Sequence, residues 1–316
     1  MPVAHHGRAR AVRLAAAVLA AVSLAGCGVR LDTPPPEVPV ADATEEARQG
    51  AARESAQLHA LAVAARAATD DAATGEVLIA VESAAAEHHA ALGGVWEPWP
   101  GAGPEATAYP GESPSPSETP DAGEATPQAV LDLLEESAAA ARQSALEQSG
   151  ELGALFAAVA ISRDRLAADL AEALGTSVQA LTAEPLPLPA PGSLDPETSR
   201  TLDAARYALE VVAARSSGDQ RTAAAERAAY LAEVAGAVAP EEDIRDVAYD
   251  LSVAADSETP ERDLAAAAEH DVVRAYVTLL TADDGVDREA VFAAALHAAR
   301  EVRSWGGALP ELPGLS

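Results

Sequence analysis

Residues 259–280 read TPERDLAAAAEHDVVRAYVTLL. The first three positions mark a helix start: a threonine hydroxyl that can cap, then a proline at the first helical position, where no N–H is needed. Val272, Val273, Tyr276, Val277 and Leu280 then recur at helical spacing and form one apolar face. Glu269 precedes this stripe by one turn, so a carboxylate sits on or beside a face that must be buried. Such a group either binds a metal or is bonded to a tyrosine or arginine, and the second reading is the simpler.

The same logic extends in both directions. Thr126-Pro127-Gln128 and Asp195-Pro196-Glu197 repeat the cap-then-proline start. Leu202, Ala205, Leu209, Val212 and Ala213 make one face, as do Leu231, Val234, Ala235 and Val238, and Phe292, Ala295, Leu296, Ala299 and Val302. Helices are expected near 43–68, 76–93, 128–148, 151–174, 197–216, 219–238, 241–254, 260–282 and 287–304. No run alternates as a strand would. The fold class read from this pattern is all-α. Residues 197–316 supply enough amphipathic helices for one bundle, and residues 43–183 supply a second.

Proline and glycine divide the chain. Residues 27–42 contain Pro34-Pro35-Pro36 and Pro39 and read as an extended tether, about 3.1 Å per residue. Residues 97–127, rich in Pro, Gly, Ser, Thr and Glu, read as a disordered loop. Residues 184–196, with five prolines, read as a stiff hinge. His89–Trp96 and His297–Trp305 both bring a helix to an end near Trp and Gly-Gly, an echo that a biased composition also produces by chance.

Composition narrows the function classes. The chain has 50 acidic and 21 basic residues and a net charge of −29, and every basic residue is arginine. Such a surface repels nucleic acid and anionic lipid headgroups. Aromatic residues are only 3%, so the cores must be built from Leu, Val and Ala.

The N-terminus carries an address. Arg8, Arg10 and Arg13 precede an Ala/Leu/Val run that ends in Leu24-Ala25-Gly26-Cys27. A basic region, a short apolar region and small residues before a cleavage point mark residues 1–26 as a secretory signal. Twelve apolar residues span about 18 Å as a helix, too short for a bilayer core of about 30 Å. The segment resembles the lipobox of bacterial lipoproteins. The resemblance implies cleavage before Cys27 and lipid attachment to its thiol, on the outer face of the plasma membrane. Cys27 is the chain's single cysteine, so no internal disulfide is available.

Residues 197–315 resemble the ferritin-like domain of unknown function found in lipoproteins of high-GC Gram-positive bacteria. The likeness is carried by Ala248-Tyr249-Asp250-Leu251, by Ala268-Glu269 through Tyr276 to Leu279-Leu280, and by Trp305-Gly306-Gly307 with Pro310 and Pro313-Gly314. The Leu92-Gly93-Gly94-Val95-Trp96 turn is similar to what precedes that domain. The resemblance implies a ferritin-like up-down bundle with Glu-His in its first helix, where this chain has Ala205-Arg206. A ferritin-type di-iron site also needs Glu-x-x-His on facing helices, and no Glu-x-x-His occurs in this chain.

The remaining candidates are few. His88 shares an apolar face with Val81, Ala85 and Leu92, and Glu54 lies with Leu58 and Leu61. If the first two helices pair, Glu54, His59, His88 and His89 could supply nitrogen and oxygen ligands to a metal, with Glu269 a separate candidate. A histidine on an apolar face is more often a satisfied core residue. Trp96, Trp99 and Trp305 suit plugs at helix ends. No phosphate loop follows a strand, no Gly-x-Ser-x-Gly elbow occurs, and no cysteine is left for nucleophilic work. The expectation is a non-enzymatic envelope lipoprotein without cofactor, held at the membrane by Cys27 and working with an envelope protein partner. The alternative is a metal- or haem-binding envelope protein.

Overall fold

The computed structural model describes residues 41–95, 125–238, 243–246, 248–252, 257–282 and 285–315. The signal segment, Cys27, most of the tether, Trp96, Trp99 and nearly all of the 97–127 loop lie outside these residues. The described residues form eight α-helices and no strand. They are α1 (Ala43–Ala68), α2 (Ala72–Ala91), α3 (Pro127–Glu147), α4 (Gly150–Leu174), α5 (Pro196–Arg215), α6 (Gly218–Ala235), α7 (Pro260–Leu279) and α8 (Arg288–Ser304).

Local chemistry sets the helix starts. The side chains of Asp42, Asp71, Thr126, Asp195 and Asp287 each accept the N–H three residues ahead. This satisfies one of the donors that every helix N-terminus leaves open. Thr259 departs from expectation: its hydroxyl bonds Asp263 Oδ1 at 3.3 Å and makes no cap. The helix expected at 241–254 is also absent from the described residues of that stretch. In its place the Tyr249 hydroxyl reaches out to Asp203 of α5.

The helices form two four-helix bundles, α1–α4 and α5–α8. Within the first, α1 packs on α2 and α3, and α4 packs on α3 and α2. Short links make α1/α2 and α3/α4 antiparallel. The Thr44 hydroxyl bonds Gln148 at 3.0 Å, which sets the start of α1 beside the end of α3. Consequently α2 and α3 run the same way. The second bundle repeats this order: α5 packs on α6 and α7, α7 on α8. Contacts from Arg227 and Tyr230 of α6 to Glu269 and Tyr276 of α7 rise together along both helices, so α6 and α7 run parallel.

One apolar core fills the middle of α1–α4, built on Leu58, Val81, Leu131, Leu134, Leu166 and Leu170. A larger core fills α5–α8 and continues into the first half of α4 through Phe156, Val159 and Ile161. Helix α4 therefore serves both cores and buries side chains nearly all round. Polar bonds fasten the junction. Arg288 donates to the carbonyls of Ala145 and Gln148 at the end of α3, and of Leu280 and Ala282 after α7. Gly153 has no room for a side chain: a Cβ would lie 2.3 Å from the Gln148 carbonyl oxygen and 2.7 Å from Arg288 Nη2.

The proline-rich 184–196 segment runs without regular structure up to α5 and is held along its length. Glu184 N–H bonds the Ala293 carbonyl at 3.2 Å, the Tyr230 hydroxyl bonds the Leu186 carbonyl at 2.8 Å, and Gly192 N–H bonds the Ala237 carbonyl at 2.7 Å.

Candidate functional site

Each bundle encloses a buried guanidinium. In α5–α8 it belongs to Arg227, which follows Ala224 by one turn and precedes Leu231 and Val234 on the apolar face of α6. Glu269, fully buried on α7, receives it in a two-pronged bond of 2.8 and 2.7 Å. Burial pulls the guanidinium pKa down, but the bonds and charge of Glu269 outweigh it and leave it raised. Burial pushes the Glu269 carboxyl up, against the opposing pull of Arg227. Arginine does not surrender its proton in proteins, so the pair stays ionised at neutral pH. Around it lie Tyr230, with Arg227 5.1 Å from its ring centre, and Tyr276, whose phenol burial pushes far above its ordinary pKa. His297 on α8 is half-buried, and burial and then Arg227 lower its pKa.

In α1–α4 the cation is Arg163, fully buried at the centre of α4. It donates to Glu54 Oε2 at 2.9 Å, the Ser55 hydroxyl at 2.8 Å, and the carbonyls of Ser137 and Ala51 at 3.0 and 3.3 Å. Glu54 keeps 30% of its side chain exposed, so its charge stays in touch with water. Burial lowers the Arg163 pKa and raises that of Glu54, with each partner opposing the shift of the other.

The five proposed metal-ligating side chains go to separate partners. Glu54 holds Arg163, and Glu269 holds Arg227. His59 Nδ1 meets the Glu82 carbonyl at 3.1 Å, and His89 Nδ1 the Ala52 carbonyl at 2.9 Å. His88 is buried, with Nε2 2.8 Å from the Glu311 carbonyl. A carbonyl only accepts, so Nε2 carries the proton. Burial, reinforced by Arg163, lowers the pKa of His88 to about 4. Among the described residues no three His, Cys, Asp or Glu side chains converge as a metal site. Neither Arg163 nor Arg227 stood out in the sequence, although each continues an apolar stripe at helical spacing. A second missed contact is Asp203, buried on α5. It is bonded by Arg206 at 2.7 Å and by the Tyr249 hydroxyl, while Tyr249 stacks on Tyr207 with ring centres 4.6 Å apart.

Residues 197–316 match the model of a domain of unknown function, DUF4439. The DUF4439 match begins one residue into α5 and takes in α6, α7, α8 and the Arg227–Glu269 pair, while Arg163 and its partners in the first bundle fall outside it. No curated protein and no solved structure matches this chain.

Proposed function

We propose that this protein is a lipid-anchored envelope protein whose helical body serves interaction or structure rather than catalysis. The observation that carries the reading is the run Leu24-Ala25-Gly26-Cys27 behind a basic, then apolar, N-terminus. Two acyl chains on Cys27 make a stable anchor where one is marginal. The body is read as ferritin-like. Two antiparallel hairpins in each bundle, with the second helix of the first hairpin parallel to the first helix of the next, support this. A non-catalytic role is supported by the use made of the interior polar groups. The carboxylates that a di-iron bundle would turn toward a metal are bonded to arginine, with both oxygens of Glu269 committed to one guanidinium. The partner is an envelope protein that tolerates a strongly acidic surface.

Metabolic labelling with a clickable fatty acid tests the anchor. The wild type is expected to label and Cys27→Ala to remain dark, and equal labelling of the two overturns the lipoprotein reading. Elemental analysis of the purified protein addresses the metal- or haem-binding alternative. A stoichiometric transition metal that survives dialysis would replace the non-catalytic reading.

A further inference from the structure

Helices α4 and α8, with the C-terminal tail, line a half-open cavity of about 140 Å³ between the two bundles. Its floor is apolar, formed by Ile161, Ala168, Leu296, Ala299 and Leu309. Three arginines and one aspartate complete the wall: Asp164 and Arg165 from α4, Arg300 and Arg303 from α8. That is a dense concentration of positive charge for a chain of net charge −29.

The carboxylates nearby are already engaged. Asp164 accepts Arg300 at 3.0 Å and also the Leu181 N–H at 2.8 Å. Asp169 is shared between Arg165 at 3.2 Å and Arg303 at 2.5 Å. Glu311 adds a third negative charge beside Arg165, so the cluster is balanced in charge but not in hydrogen bonds. Arg165 is largely buried, and its Nε has no hydrogen-bond partner. Burial lowers its pKa; Asp169 and Glu311 oppose that shift and Arg303 adds to it.

We propose that this cavity binds a small monocarboxylate with an apolar body, the carboxylate on the arginine wall and the hydrocarbon on the Ile161–Leu296 floor. A planar carboxylate suits the guanidinium fork. The volume is close to the roughly 150 Å³ of an apolar cavity that takes benzene. An aromatic or short branched acid therefore fits, and a long acyl chain does not. Phosphate satisfies the arginines and leaves the floor empty; a neutral alcohol fills the floor and leaves the guanidinium donors unmatched.

The test is calorimetric titration of benzoate into the full chain in neutral detergent, with benzyl alcohol and inorganic phosphate in parallel. Saturable one-site binding of benzoate is expected, at least about tenfold tighter than either control, a difference of ~1.4 kcal/mol. Arg303→Gln removes a cation that is one-third exposed, and Ala168→Leu fills the floor. Each is expected to weaken benzoate about tenfold or more while the circular dichroism spectrum is unchanged. Absence of saturation, a control that binds as tightly as benzoate, or a folded variant that keeps wild-type affinity overturns the proposal.

Discussion

The two bundles answer one physical problem in different ways. Each buries an arginine at its centre, where an uncompensated charge is costly. The second bundle surrounds Arg227 with a full counter-charge, Glu269, equally cut off from water. The first gives Arg163 three neutral acceptors and a carboxylate that stays partly wet. The first arrangement spreads the charge over dipoles, and the second concentrates it in one pair. A concentrated pair is fragile to the loss of either member, whereas a distributed one degrades by steps.

The largest expected effect breaks the concentrated pair. Glu269→Gln leaves Arg227 buried without its counter-charge and should lower stability by about 3–5 kcal/mol in urea denaturation. Replacing both residues, Arg227→Met with Glu269→Leu, should cost less than the single change, because no charge is left stranded. If the single and double variants are equally destabilised, the contrast between the bundles fails.

Next comes the pH dependence lodged beside Arg163. His88 titrates near 6.5 when unfolded and at about 4 in the folded chain. The unfolded state therefore takes up the proton first as pH falls. The stabilisation is complete above about pH 6.5 and is lost progressively down to about pH 4, on the order of 3 kcal/mol. Glu54 and Glu269, whose carboxyls are held up, act with the opposite sign, so the measurement must be differential. His88→Gln keeps a donor toward the Glu311 carbonyl and should flatten the acid slope between those limits. A variant with the wild-type slope would remove His88 from the account.

A smaller effect tests the distributed site. Glu54→Gln leaves Arg163 its serine and carbonyl acceptors and should cost about 1–2 kcal/mol, well short of Glu269→Gln. Equal losses for the two would mean that the neutral acceptors contribute little. Smallest is Arg142, bonded at 2.7 Å to a mostly exposed Glu289 across the junction. Arg142→Gln should shift stability by about 0.5 kcal/mol or less, and a larger change would show that this bridge holds the bundles together.

Much of this architecture was legible residue by residue. Thr126 and Asp195 marked two helix starts, because capping is a contact between neighbours in sequence, whereas Thr259 ahead of Pro260 makes no cap. The 241–254 helix was misplaced for the converse reason. Ile244, Val247, Ala248 and Leu251 fall at helical spacing there, yet the stretch is held by Tyr249 reaching Asp203 on a different element. Arg163 and Arg227 went unremarked within apolar stripes, because the spacing does not reveal what a side chain meets. Their partners lie 109 and 42 residues away.

By itself the sequence determined the all-helical class, the breaks between helices and the acidic surface, since these follow from local propensity, periodicity and charge. Only the tertiary structure decided that α4 would serve two cores. Only there did Glu54, His59, His88, His89 and Glu269 go to separate partners, and three arginines gather on one small apolar cavity. The physical reason is that burial and ionic pairing depend on what approaches a side chain from elsewhere in the chain, which the spacing along one helix does not specify.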